Sequence, residues 1–147
     1  MTKGVNSILR FTPAEILNAA RQLSYTEFEI IKTHTIAGYE ALDNFTNIPK
    51  EIKTLAIKHH YRNGFGYPQR IIYENGIDPI LVDILTVADS FSAIMEPRVY
   101  KKTLNEFQTL EIIKDPGNEK NAGLNFEVLE ILTYLVDNDR INLKCFY

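Results

Sequence analysis

Disulfide chemistry is the first thing the sequence excludes: it holds one cysteine, Cys145, so no intramolecular bridge can form and a reducing compartment is the expected setting. No apolar run approaches the roughly 18 residues of a membrane-spanning helix, and the N-terminus lacks the charged-then-apolar pattern of a secretory leader. Basic residues are not in excess. The 16 Lys and Arg against 19 Asp and Glu leave a formal net charge of −3, which gives no footprint for DNA or RNA. A small anionic ligand remains compatible with that balance. Internal repeats, low-complexity segments and a convincing pair of alternating strands are also missing. These absences predict a cytoplasmic protein with neither nucleic acid nor membrane as partner.

What is present is ordinary for a soluble fold: 147 residues, 45% hydrophobic and 24% charged, enough for one domain over 1–147 with a sizeable core. Thr12-Pro13-Ala14-Glu15 combines a cap, a proline suited to the first helical position and a capping-box glutamate. A helix is expected from there to about Gln22. Thr26 to Glu29 repeats the box and predicts a helix through His34 toward Leu42, with Phe28, Ile31, Ile36 and Tyr39 on its apolar side. Pro49 starts another, in which Ile52, Leu55, Ala56 and His59 share a face. Ile80 to Met95 is almost continuously apolar and suits a central helix. Thr103 to Glu106 reads as a third box, followed by Phe107, Leu110 and Ile113, and Pro116-Gly117 ends that helix. Val128, Ile131, Leu132 and Leu135 mark the last amphipathic segment. The predicted architecture is an all-α bundle.

Chemistry concentrates in His59-His60-Tyr61-Arg62-Asn63-Gly64-Phe65-Gly66-Tyr67-Pro68. Residues 62 to 79 are rich in glycine and proline and predict a long loop, of a kind that is usually functional or disordered. Gly64 and Gly66 permit backbone conformations closed to other residues, and Pro68 stiffens the exit. Neighbouring histidines on a helix point roughly 100° apart, which suits two ions of one cluster better than one. An isolated pair is more often structural, one ring packed and one solvated. Asp89, near the middle of the apolar helix, is a second signal, since a buried carboxylate is costly unless paired or metal-bound.

The run His-His-x-Arg-Asn-Gly-Phe-Gly-Tyr-Pro, with Val87-Ala88-Asp89-Ser90-Phe91-Ser92-Ala93-Ile94, Arg98-Val99-Tyr100-Lys101 and, upstream, Glu27 to His34, resembles the HD-GYP branch of the HD-domain metal-dependent phosphohydrolases over about residues 5–136. The resemblance implies an HD-type helical bundle. It implies metal ligation by His34, His59, His60 and Asp89, with iron or manganese as the divalent transition metal, and ligand contacts from Tyr67, Pro68, Arg98 and Lys101. Family members hydrolyse cyclic di-GMP, their metals holding a hydroxide and polarising the phosphodiester.

The chain also departs from the pattern. The defining His-Asp pair falls on Val5 and Asn6, neither of which replaces a carboxylate bridging two cations, and the usual downstream lysine falls on Leu9. Val99 stands for a proline, Ser92 for a common aspartate, Tyr61 for an acidic residue, and the loop is one residue short. The preceding helices of the family domain have no counterpart. The implied protein is a partial, noncatalytic domain that holds at most one weakly bound ion and acts in cyclic di-GMP-linked signalling by binding a ligand or a protein. Two alternatives stay open: a phosphodiesterase completed by another chain or segment, and a helical structural remnant without ligand. Ile30, Leu55 and Ile84 are expected to lack neighbours, so a homo-oligomer or a protein partner is expected to cover them.

Overall fold

Helices account for nearly all the regular structure of this computed structural model, which describes residues 14–17, 19–62, 65–68, 77–96 and 104–138. In chain order they are α1 (Ala14–Leu17), α2 (Tyr25–Lys32), α3 (His34–Asp43), α4 (Lys50–Lys58), α5 (Pro79–Met95), α6 (Glu106–Lys114) and α7 (Phe126–Asp137). A 3-10 turn, Glu119–Asn121, precedes α7. Between α4 and α5 lies a two-stranded antiparallel hairpin of β1 (Tyr61–Arg62) and β2 (Phe65–Gly66), with Tyr61 opposite Gly66 and Arg62 opposite Phe65. The all-α architecture is as expected, and the hairpin is an addition to it.

Capping chemistry places the boundaries differently from the expected frames. Residues 19–24 are not helical, so the first helix stops well short of Gln22. Ser24 is extended and caps α2 through a box with Glu27, two residues earlier than the Thr26–Glu29 frame. Arg21 holds that glutamate from outside, at 2.5 Å, and also donates to the Gln22 carbonyl. A helix running through these residues would lose all three contacts. The box on α6 is likewise Asn105–Gln108 instead of Thr103–Glu106. The expected cap at Thr12-Pro13 and position Thr103 lie outside the described residues.

The expected single helix from Thr26 toward Leu42 is broken at Thr33. There the Thr33 hydroxyl donates to Ile30 O at 2.7 Å and the His34 ring nitrogen Nδ1 approaches Ile31 O to 2.6 Å. Side chains that compete for helix carbonyls in this way bend the axis. His34 consequently opens α3 and is buried, with Thr35 beside it.

Val87, Phe91 and Met95 of α5 pack with Leu110 and Ile113 of α6 and with Val128, Leu129 and Val136 of α7 to form the main core. Asn125 caps α7 and ties it to α5 by donating to Asp83 Oδ2 at 2.7 Å. Asp83 is a second carboxylate of α5, beyond the one the apolar pattern singled out. On the other side, α3 packs against α4, which meets α5. Thr54, Ala56 and Ile57 are the buried residues of α4, whereas Ile52 is exposed, so its inward face is rotated from the expected one. Phe107 and Ile131 are exposed as well, contrary to expectation. Their helices bury Thr109, Leu110 and Ile113 on α6 and Val128, Leu129 and Val136 on α7.

Candidate metal centre

Three backbone decisions bring the histidines together. The break at Thr33 turns His34 inward at the start of α3. Helix α4 ends at Lys58, so His59 is its C-cap and His60 lies beyond it. The roughly 100° divergence expected of helical neighbours therefore does not apply: the His59 and His60 rings are tilted by 41° with centroids 4.2 Å apart. Both rings also meet His34, at 5.2 and 5.0 Å between centroids.

The third decision is the hairpin, which returns the chain onto His60. Tyr67 donates its backbone N–H to His60 O at 3.1 Å. Gly66 has φ +78°, and a Cβ there would stand 1.9 Å from that same carbonyl oxygen. Only glycine satisfies both the left-handed backbone and the close approach. Tyr67, joined to Pro68 by a cis peptide bond, then lays its ring near-parallel to His60, tilted 32° with centroids 4.6 Å apart.

Hydrogen bonding fixes the tautomers. His34 Nδ1 faces Ile31 O at 2.6 Å and His59 Nδ1 faces Ala56 O at 2.9 Å. A carbonyl oxygen can only accept, so both Nδ1 atoms carry the hydrogen and both Nε2 atoms present their lone pairs. Those two Nε2 atoms are 3.2 Å apart. Facing lone pairs repel, and a cation held by both nitrogens would relieve that repulsion. At about 2.1 Å per metal–nitrogen bond, adjacent ligands of one ion sit roughly 3.0–3.4 Å apart, a range that includes the observed spacing. One ligand atom from each histidine lies within 4.8 Å of the others. Nitrogens on opposite sides of one ion are at most about 4.2 Å apart, somewhat less than that outer limit.

Electrostatics favours the neutral form of the His59 and His60 rings. Burial, then the neighbouring His59, His34 and Arg62, pushes His60 down to about 2. Burial also lowers His59, with His34 acting in the same direction and Asp89 against it. Neutral imidazole is the metal-binding form. Asp89 Oδ2 stands 3.8 Å from His60 Nδ1, which with a neutral ring is neither an ion pair nor a hydrogen bond. The Asp89 side chain is 41% exposed, not the buried carboxylate expected from its apolar helix. It borders the histidine group without belonging to it. Burial, seconded by Asp89, raises the Tyr67 phenol well above its usual value, so Tyr67 is a hydrogen-bond donor and not a base.

Supporting residues that the sequence pattern did not single out hold this arrangement. The Thr86 hydroxyl on α5 lies 2.8 Å from His59 O. Arg62 donates through Nη2 to Ser90 Oγ at 3.0 Å and through Nη1 to Lys120 O, while its buried Nε has no hydrogen-bond partner among the described residues. Gly123, at φ +78°, lets the segment before α7 close on the hairpin, since a Cβ there would meet Arg62 O at 2.6 Å. Arg62 was visible within the loop motif, but nothing local marked its partners, which are 28 and 58 residues away. Of the other expected site residues, Pro68 lines a cavity with Tyr67. Arg98 and Lys101 lie outside the described residues, as do Val5, Asn6, Leu9, Val99, Tyr100 and Cys145.

A family model described as an HD domain matches residues 7–121. The chain is 39% identical over 104 residues to a cyclic di-GMP phosphodiesterase of Thermotoga maritima, covering 67% of this chain and 28% of that protein. It is 32% identical over 107 residues to the cyclic di-GMP phosphodiesterase PdeB of Borreliella burgdorferi, covering 71% and 27%. It is 34% identical over 92 residues to the cyclic di-GMP phosphodiesterase response regulator RpfG of Xanthomonas campestris pv. campestris, covering 61% and 24%. The chain thus spans about a quarter of the length of these relatives. No solved structure matches. With most of its length matched and relatives that are cyclic di-GMP phosphodiesterases, the chain belongs to the HD-domain family.

Proposed function

We propose that this chain is a metal-holding, noncatalytic HD-type domain that acts in cyclic di-GMP-linked signalling by binding. The observation that carries this reading is the pair of Nε2 lone pairs facing each other at 3.2 Å. One divalent iron or manganese ion held by His34 and His59 would remove the repulsion without placing a charge on the buried His59 ring, which a shared proton would do. His34, His59 and His60 hold the ion, with Asp89 as the nearby carboxylate. When bound, such an ion polarises a phosphodiester oxygen and acidifies a water.

The chain's own residues supply orientation and shielding. Ile31 O and Ala56 O keep the ring hydrogens on Nδ1, as outer partners do for metal-binding histidines generally. Thr86 steadies the His59 backbone and Tyr67 covers His60. Tyr67 and Pro68, with Arg98 and Lys101 from the segment after α5, are the ligand contacts. A one-ion site is supported by the donor set: among the described residues a single group of three ligands comes together, all histidines, with no bridging carboxylate among them. Two ions sharing a bridge are what the family reaction uses, so binding without turnover is the expected behaviour. The relatives' names favour a second reading, a phosphodiesterase completed by another chain or segment. A protein partner or a second copy fits either reading.

The test loads the metal-free chain with iron or manganese and measures metal by elemental analysis, cyclic di-GMP binding by calorimetry and hydrolysis by product separation. The expected result is at most one equivalent of metal, lost in His59→Ala, with binding and only background hydrolysis. Two or more equivalents abolished by His59→Ala would overturn the one-ion site. Turnover that disappears in Asp89→Asn would establish the completed enzyme instead.

A further inference from the structure

Arg62 ends β1, two residues after His60, and its half-buried side chain reaches two other parts of the chain at once. Nη2 donates to Ser90 Oγ on α5 at 3.0 Å, and Nη1 donates to Lys120 O in the 3-10 turn between α6 and α7. That turn belongs to a connector, residues 118–124, in which Glu119 and Lys120 are exposed. Asn118 caps the turn by accepting from the Lys120 N–H at 3.1 Å, and Asn121 donates to Ile112 O near the end of α6 at 2.8 Å. Gly123 brings the same connector onto the hairpin: a Cβ there would stand 2.6 Å from Arg62 O and 3.0 Å from Phe65 Cδ2.

Holding a guanidinium here is costly. Its Nε is buried with no partner among the described residues, and an unsatisfied buried donor calls for a reason beyond stability. The planar fork of arginine supplies one, because its two ends keep two partners in fixed relative positions. The backbone of Arg62 pairs with Phe65 in the hairpin. That hairpin sets the Tyr67 N–H on His60 O at 3.1 Å and lays the Tyr67 ring along His60. A shift of the connector is thus passed through one stiff side chain to the strand that positions a histidine.

We propose that Arg62 is a positioning residue that couples the histidine group to the surface connector 118–124, so that closure of the connector on the hairpin and occupation of the histidines by a metal ion favour each other. The connector is thereby a control surface. Anything that draws it away from the hairpin weakens metal binding, and by the reciprocity of such linkage a bound ion tightens the connector. No residue of 118–124 belongs to the histidine group, so the effect does not pass through direct ligation. The metal half of the coupling rests on the proposed function, whereas the mechanical link between connector and hairpin stands on these contacts alone.

Hydrogen exchange read by mass spectrometry and manganese titration read by calorimetry, both on the 147-residue chain, provide the test. Without metal, Arg62→Gln should speed exchange in 61–67 and in 118–124 while the core segment 128–136 keeps its protection. With manganese, exchange in 118–124 should slow in the unmodified chain and stay unchanged in Arg62→Gln. The same variant should weaken manganese binding about fivefold or more, and Gly123→Ala should do so from the connector side. Arg62→Lys should recover only part of the loss, because one ammonium cannot serve as a two-ended fork. Unchanged exchange in 118–124 on Arg62→Gln, acceleration spread equally over 128–136, or manganese binding that does not protect 118–124 or does not depend on Arg62 would overturn the coupling. A chain that takes up no manganese refutes the metal reading and the metal half of the coupling, and the metal-free exchange then decides the mechanical link by itself.

Discussion

Lowering the pH from 8 to 5.5 should destabilise the metal-free chain through the histidines. His60 is held at about 2 in the fold against about 6.5 in an unfolded chain. Between those values the unfolded chain binds a proton that the folded chain refuses, so stability is present above pH 6.5 and is lost as the pH falls. At pH 5.5, one unit below the unfolded value, the loss from His60 is RT ln(1 + 10), about 1.4 kcal/mol. His59, also lowered by burial, adds a loss of the same sign. The total, of order 1–3 kcal/mol, is a large share of a typical domain's 5–15 kcal/mol. Glu27, held at about 2 by Arg21 and Ser24, acts through the opposite ionisation in a lower window, since its contribution starts to fall only near its unfolded value of about 4.5. Urea denaturation at pH 8, 6.5 and 5.5 in the presence of chelator measures the effect as a falling midpoint. His60→Ala should flatten part of the slope whatever its effect on absolute stability. A midpoint constant from pH 8 to 5.5, or a slope unchanged in His60→Ala, would refute the burial argument for these rings.

Gly66→Ala should destabilise by about 2 kcal/mol or more, from a left-handed residue and a Cβ forced against His60 O; thermal melts check this, and metal uptake should fall with it. Ile113→Ala removes a side chain that is 1% exposed in the main core and should cost about 2–5 kcal/mol in chemical denaturation while leaving metal stoichiometry intact. Of the positions expected to lack neighbours, Ile84 is 48% and Ile30 36% exposed, while Leu55 is half-buried. With Leu81 and Leu85 also exposed on α5, light scattering should show concentration-dependent association that Ile84→Lys reduces; a monomer at all concentrations that binds no apolar dye would contradict it.

Helical periodicity and breaker residues were enough to determine an all-α chain with its loop between α4 and α5, because those signals act within a few residues. The Gly-Tyr-Pro turn and the adjacent histidines were equally legible: the left-handed backbone at Gly66 is a demand that the residue type itself announces. Capping frames were less so. Ser24 and Asn105 displaced Thr26 and Thr103 because any of these side chains can cap, and Arg21 on Glu27 or the tie from Asn125 to Asp83 is invisible in a local pattern. The inward faces of α4 and α7 shifted for the same reason, since burial depends on which neighbour a helix meets. The candidate metal centre divides along this line. The family resemblance named His34, His59, His60 and Asp89, but tertiary structure alone decided that α4 ends before His59, that Thr33 breaks the arm before His34, and that two carbonyls aim both Nε2 lone pairs at one point. Those are relations between groups as much as 25 residues apart. Their energies depend on distance and orientation in space, which spacing along the chain does not encode.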